Sequence, residues 1–221
     1  MSIPQEEIKV NLPTRLTHEF YSRNTLSVAR ELLGKHLVRI LEGHRLSGRI
    51  VEVEAYIGED DKACHASPGP TTRNAPMYGP PGHAYIYLIY GMHYCLNLVT
   101  EPAGFPAAVL IRASEPLEGL DVIQRRRGNR AMMRDLARGP GRLCQALGID
   151  FSFNNADLCA ADASLWIEDA PALPDVQVSQ SPRIGVRGDE RALSVPWRYF
   201  VSDSPWVSGS RSFNDRHRMT R

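Results

Sequence analysis

Between residues 46 and 57 the chain reads LSGRIVEVEAYI. Val51, Val53, Ala55 and Ile57 alternate with Glu52, Glu54 and Tyr56, the period of two that a strand with one apolar face imposes. HLVRIL, at 36–41, reads as a partner strand joined to it by a tight turn near residues 42–45. Ahead of this pair, RNTLSVARELLGK has helical spacing and stops at Gly34, a residue suited to the position just past a helix end.

The segment 58–83 has no period and holds Pro68, Pro70, Pro76, Pro80 and Pro81; an irregular stretch of that length inside a domain is usually functional or disordered. AYIYLIYGMHYCLNLVT reads as a hairpin turning at Gly91, and AAVLIRAS as another strand. SEPLEGLDVIQRRRG, with a capping serine and an early proline, predicts a helix. GPGRLCQALG is a glycine-rich entry into a short one. SLWIED, RIGV and WRYFVSDSPWVS look like short strands. Strands and helices do not alternate regularly. The expected fold is therefore α+β, a single domain with largely antiparallel pairing.

Composition adds bounds. A chain of 221 residues with 43% hydrophobic and 23% charged residues has globular proportions and can bury a real core. No apolar run of membrane length and no signal-peptide pattern is seen, so a cytoplasmic protein is expected, nucleoid-associated, or nuclear if eukaryotic. The polar residues 1–13 are expected to be loose, and 209–221 to form a basic tail. Cys64, Cys95, Cys144 and Cys159 lie far apart without CxxC spacing, which argues for reduced thiols and against a zinc site. Net charge is +1, yet residues 125–142 hold seven arginines against the single acid Asp135. Such clustering on a near-neutral chain points to a polyanion or to a solvated helix face.

Several residues are candidates for chemistry. Glu52 and Glu54, two apart on one strand face, stand about 6.5–7 Å apart and point the same way. That suits one active carboxylate better than a pair flanking a substrate; a solvated strand face is the plain alternative. His65 follows on the acidic loop. Tyr85, Tyr87 and Ile89 share one face of the hairpin, with Ile86, Leu88 and Tyr90 on the other. Tyr90, at the tip, has little core to fill, and apolar groups presented in this manner unstack nucleic-acid bases. A two-residue Gly91–Met92 turn would put Tyr87 and Asn97 on opposite faces; a loop of residues 91–93 would set them directly opposite each other, and this register is preferred because it builds a pocket. Arg112 closes an apolar strand and needs a partner such as Glu54 or a ligand. Gly139 and Gly141 in GPGRL, followed by Arg142, open a helix whose free N–H groups suit phosphate, although plain turn chemistry explains them equally well.

Taken together, RIVEVEAYIGEDDKACHAS, TTRNAPMYGPPGHAYIYLIYGMHYCLNLVT, AAVLIRASEPLEGL, GPGRLCQALGI, PRIGV and RYFVSDSPWVS closely resemble the alkyladenine (3-methyladenine) DNA glycosylases, in family order from about residue 16 to 208. The resemblance implies a glycosylase domain over 14–208 built on a curved antiparallel sheet with surrounding helices and a protruding hairpin that enters the DNA minor groove. It implies Glu54 as the acid that activates water. Tyr56, His65 and Tyr87 would enclose the flipped base, Asn97 would screen purines, and Arg112 would stand beside the pocket. Tyr90 would fill the gap left in the duplex. Met92, His93, Gly139, Gly141 and Arg142 would touch DNA, His93 departing from the aromatic usual beside Met92. No metal or organic cofactor is implied. The expected partner is double-stranded DNA carrying alkylated or deaminated purines, met by a monomer that removes the base and leaves an abasic site. The residues alone also admit a nucleic-acid-binding module without catalysis, or a carbohydrate hydrolase using Glu52 and Glu54; the arginine cluster and the lack of a tryptophan platform weigh against the latter.

Overall fold

The computed structural model describes residues 14–218; the expectation of a loose segment at 1–13 falls outside them. Helix α1 (His18–Tyr21) and helix α2 (Thr25–Leu32) open the described chain. Asn24 caps α2, its side chain accepting from the amides of Leu26 and Ser27, and Gly34, at φ 88°, turns the chain away as expected. Strands β1 (His36–Leu41) and β2 (His44–Ile57) then form a two-residue hairpin. Its turn residues Glu42 and Gly43 both take positive φ, the twist such hairpins need.

Strands β3 (Ala84–Ile89), β4 (His93–Val99) and β5 (Ala107–Glu118) follow, then helices α3 (Leu120–Arg127) and α4 (Pro140–Leu147). The chain ends with β6 (Leu165–Glu168), β7 (Val178–Ser181), helix α5 (Glu190–Ser194), β8 (Arg198–Val201) and helix α6 (Arg211–Arg216). The sheet runs β3-β4-β5-β2-β1-β6, and β8 joins both β2 and β7. Every strand pair is antiparallel. The α+β, single-domain expectation holds. No helix among the described residues is long and apolar enough to cross a membrane.

Strand β2 organises the molecule. It pairs with β5 along most of its length, with β1 over its first half and with β8 over Glu52–Glu54. A bulge between Ile50 and Glu52 leaves Val51 without a partner on β5, and this resets the alternation. Ile50, Val53 and Ala55 therefore join one core, with Val28, Leu32 and Leu143. Val51 packs instead with Ala113, Phe200 and Val207. The expected grouping of Val51 with Val53 is thus corrected, and so is the solvated reading of the other face: Glu52 and Glu54 are fully buried.

Two further expectations are corrected, and the basic tail has a helix. Ser114 and Pro116 lie in β5, not in a helix; Pro116 is tolerated because it sits at an irregularity opposite Gly48, and α3 starts only after Gly119. RIGV is not a strand, whereas the more polar VSQS is β7. The basic tail begins with α6, and Asn214 of that helix bonds Arg198 at 3.0 Å.

Candidate active site

The apolar alternation of β2 exists to place its polar residues, and β8 and residues 181–186 cover them. Glu54 Oε1 accepts the Ile184 amide at 2.7 Å. Its Oε2 accepts the Tyr56 hydroxyl at 2.8 Å and an Arg112 N–H at 3.1 Å. A carboxylate has about four acceptor positions, so three donors leave room for one more. Glu52 is different. It takes Arg112 at 2.9 Å, Arg198 at 2.7 Å, and both the amide and hydroxyl of Ser208 at 2.6 and 2.9 Å. Its four donors fall three on Oε1 and one on Oε2, the surroundings of a structural ion pair.

Arg112 spans the two carboxylates, each with a guanidinium N–H, and is nearly buried. Burial pulls its pKa down, but the adjacent Glu54 and Glu52 carboxylates outweigh this and hold it above the ordinary value.

The irregular segment after β2 is ordered by its own side chains. Asn74, buried, donates to the carbonyls of His65 and Gly69. Asp61 grips Arg183 through two hydrogen bonds of 2.6 and 2.8 Å. Arg183 in turn lies over the Tyr56 ring at 4.7 Å. The acidic loop thereby fixes the 181–186 segment that delivers the Ile184 amide to Glu54.

Beside Tyr56 lies a cavity of about 340 Å³ lined by Tyr56, His65, Tyr87 and Asn97, among others. His65 Nδ1 is 2.8 Å from the Tyr85 hydroxyl, and its ring meets that of Tyr87 edge-on at 4.5 Å. Burial, with the nearby Arg73 charge, lowers the His65 pKa to about 4, so the ring is neutral at pH 7. Asn97 Nδ2 donates to the Tyr85 carbonyl at 3.0 Å, which fixes its amide at the wall. Lys62 also lines the cavity, but its ammonium reaches toward the Glu59 carbonyl at 3.4 Å.

The hairpin register is corrected. The loop is 90–92, so Asn97 pairs with Tyr85 and Tyr87 pairs with Cys95. Tyr87 and Asn97 still share a face, one step along. Tyr90 sits at φ 53° beside Gly91 at φ 68°, a left-handed pair costly for tyrosine. It is 82% exposed, with Met92 exposed beside it.

A groove adjoins the cavity and shares Tyr56 and Tyr87 with it. Tyr90, His93 and Arg112 line it, together with Gly139, Gly141 and Arg142. His93 packs so closely on Gly141 that a Cβ there would lie 2.9 Å from it. Helix α4 thus opens onto the groove with no side-chain cap, beside Arg127 and Arg138. The arginine cluster is partly spent within the fold: Arg127 donates to the Leu136 carbonyl, Arg138 to that of Val207, and Arg142 pairs with Asp135 at 3.0 Å.

Sequence reasoning brought most of these residues to one place and missed others. The Ile184 amide, Arg183, Arg198 and Ser208 fall in PRIGV and RYFVSDSPWVS, segments that the resemblance includes without giving these residues a role.

The methylpurine-DNA glycosylase family model matches residues 19–205. A protein of Methanocella arvoryzae, provisionally named a 3-methyladenine DNA glycosylase, is 55% identical over 193 residues, covering 87% of this chain and 95% of that protein. One of Chlorobaculum parvum with the same name is 51% identical over 198 residues, covering 89% and 92%. A third, of Alkaliphilus oremlandii, is 44% identical over 202 residues, covering 88% and 98%. With a family model over most of its length and relatives this similar, the chain belongs to the methylpurine-DNA glycosylase family.

Proposed function

We propose that this DNA glycosylase flips an alkylated or deaminated purine, 3-methyladenine among them, out of duplex DNA and hydrolyses its N-glycosidic bond with a water activated by Glu54. Chemistry on a base needs the base out of its stack. Tyr90, exposed at the hairpin tip, fills the gap. The groove takes the backbone, its phosphates meeting the α4 amides and the Arg142, Arg138 and Arg127 charges. The base enters the cavity between Tyr56 and Tyr87. A cationic alkylated purine gains about 0.5–2 kcal/mol there from the ring faces. His65 orients the nucleotide, and Asn97 meets the purine edge.

The ionised Glu54 carboxylate takes a proton from the water held at its remaining acceptor position. The water oxygen bonds to C1′ as the bond from C1′ to the base nitrogen breaks, and the base leaves with the bonding pair. Arg112 and the Tyr56 hydroxyl hold the carboxylate in place, and its negative charge stabilises the developing oxocarbenium. The products are free base and an intact abasic strand. The observation that carries the reading is the position of Glu54: it bonds Tyr56 at 2.8 Å and Arg112 at 3.1 Å, and Tyr56 lines the aromatic cavity while both line the adjoining basic groove. One chain supplies every group, so we propose that it acts as a monomer. Incubation with a methylated duplex, followed by chromatography of the released base, tests this. Free 3-methyladenine is expected; DNA bound without base release would leave only a binding module.

A further inference from the structure

Away from the groove, His18, His83 and Asp157 each offer one ligand atom, and these atoms lie within 4.8 Å of one another. We propose that they form a site for a zinc-like divalent transition-metal ion. The backbone preorganises it. His83 and Asp157 face each other across an antiparallel bridge, flanked by hydrogen bonds from Ala84 to Ala156 at 2.9 Å and from Leu158 to Gly82 at 3.1 Å. His18, on the short helix α1, completes the group; its Nε2 lies 2.9 Å from Asp157 Oδ1.

A second observation points to a ligand. His83 Nδ1 is enclosed and has no hydrogen-bond partner. Buried polar atoms are rarely left so, and a bound ion is one physical reason for an exception. Both His18 and Asp157 remain part-exposed, so an ion can enter from solvent.

The donor set selects the ion. Two imidazoles and one carboxylate suit zinc and its first-row neighbours rather than calcium or magnesium. Zinc bonds of about 2.0–2.2 Å bring tetrahedral ligands to about 3.3 Å from one another, a short closure from their present separations of up to 4.8 Å. A water takes the fourth position. Cys159 stands close by: a Cβ on Gly82 would meet its Sγ at 2.8 Å and the His18 ring at 3.2 Å. The ligands sit at positions 18, 83 and 157, so no short spacing motif announces them. Bound there, the ion ties α1 and residues 155–159 to the root of β3, the strand that carries Tyr85 and Tyr87 and leads to Tyr90. This inference is independent of the proposed catalysis.

The test uses untagged full-length protein stripped with a chelator. Zn²⁺ is titrated by calorimetry, and Co²⁺ by its visible absorption. One ion per chain is expected, with affinity falling at least tenfold in His83→Ala and in the more conservative Asp157→Asn. Zn²⁺ at about 100 times Kd should raise Tm by ~5 °C or more in the parent and not in the variants. His65→Ala should bind as the parent does. Circular dichroism confirms that each variant is folded. No saturable binding, binding unchanged in folded Asp157→Asn, or loss in His65→Ala would overturn the site; the last would move the ion to the base cavity.

Discussion

Replacing Glu52 by glutamine removes one negative charge from a closed group of two arginines and two glutamates. Arg112 then keeps Glu54 alone and Arg198 loses its carboxylate partner, in an interior where Glu52 and Arg198 have no exposed side-chain surface. Breaking such a buried pair costs about 3–5 kcal/mol. A second route gives the same scale. Burial alone would push the Glu52 carboxyl up, but the Arg112 and Arg198 guanidiniums and the Ser208 amide outweigh it and bring it from an ordinary 4.5 to about 2. At 1.36 kcal/mol per pH unit this is roughly 3 kcal/mol. For a domain of this size, Tm should fall by roughly 6–20 °C at pH 7. The sign follows from a depressed carboxylate: its contribution is fully present above about pH 4.5 and is lost as pH falls toward 2. The variant lacks it at every pH. Guanidinium unfolding of both proteins from pH 7 to pH 2.5 should therefore give a gap in midpoint that is widest at neutral pH and closes in acid. Equal midpoints at pH 7, or a gap indifferent to pH, would refute the reasoning.

Tyr90→Ala should slow excision more on a duplex than on a single strand, where no stack needs filling; single-turnover rates on both substrates that fall equally would count against the wedge. Asn97→Ser should raise excision of guanine-type bases relative to hypoxanthine, measured on single-lesion duplexes, because the amide at the cavity wall meets the 2-amino group that hypoxanthine lacks. With its pKa lowered to about 4, His65 should stay neutral through pH 5, and its NMR titration should have no midpoint near 6.5. A midpoint there would mean that the ring is open to water.

The sequence was legible where a local pattern fixes geometry. The alternation along β2, the αβ and ββ turns at Gly34 and Gly43, and the tyrosine-rich hairpin all followed from short-range rules. What escaped was set by tertiary context. A single extra residue, Val51, shifts the face of everything before it, and no local signal marks that bulge. Ser114 and Pro116 look like a helix start, yet β5 continues because Pro116 falls at an irregular pairing with Gly48. Strand β7 is mostly polar because Ser179 and Ser181 serve Ser202 and Arg198, while Val178 joins the core. Glu52 resisted interpretation for the same reason: its partners come from β5, β8 and the segment after β8, and only the folded chain brings them together. The hairpin face was readable, but the loop length was not, since Tyr90 adopts a left-handed conformation that its residue type disfavours.

The central claim is that one carboxylate, Glu54, does the chemistry while Glu52 holds the structure. Single-turnover excision of 3-methyladenine by Glu54→Gln and Glu52→Gln, at a temperature where both are folded and with duplex binding measured alongside, tests it most directly. Glu54→Gln should bind the lesion duplex normally and lose nearly all base release, because an amide of the same shape cannot take the proton of water; Glu52→Gln should lose far less. Equal losses in the two variants, or substantial release by Glu54→Gln, would contradict the account.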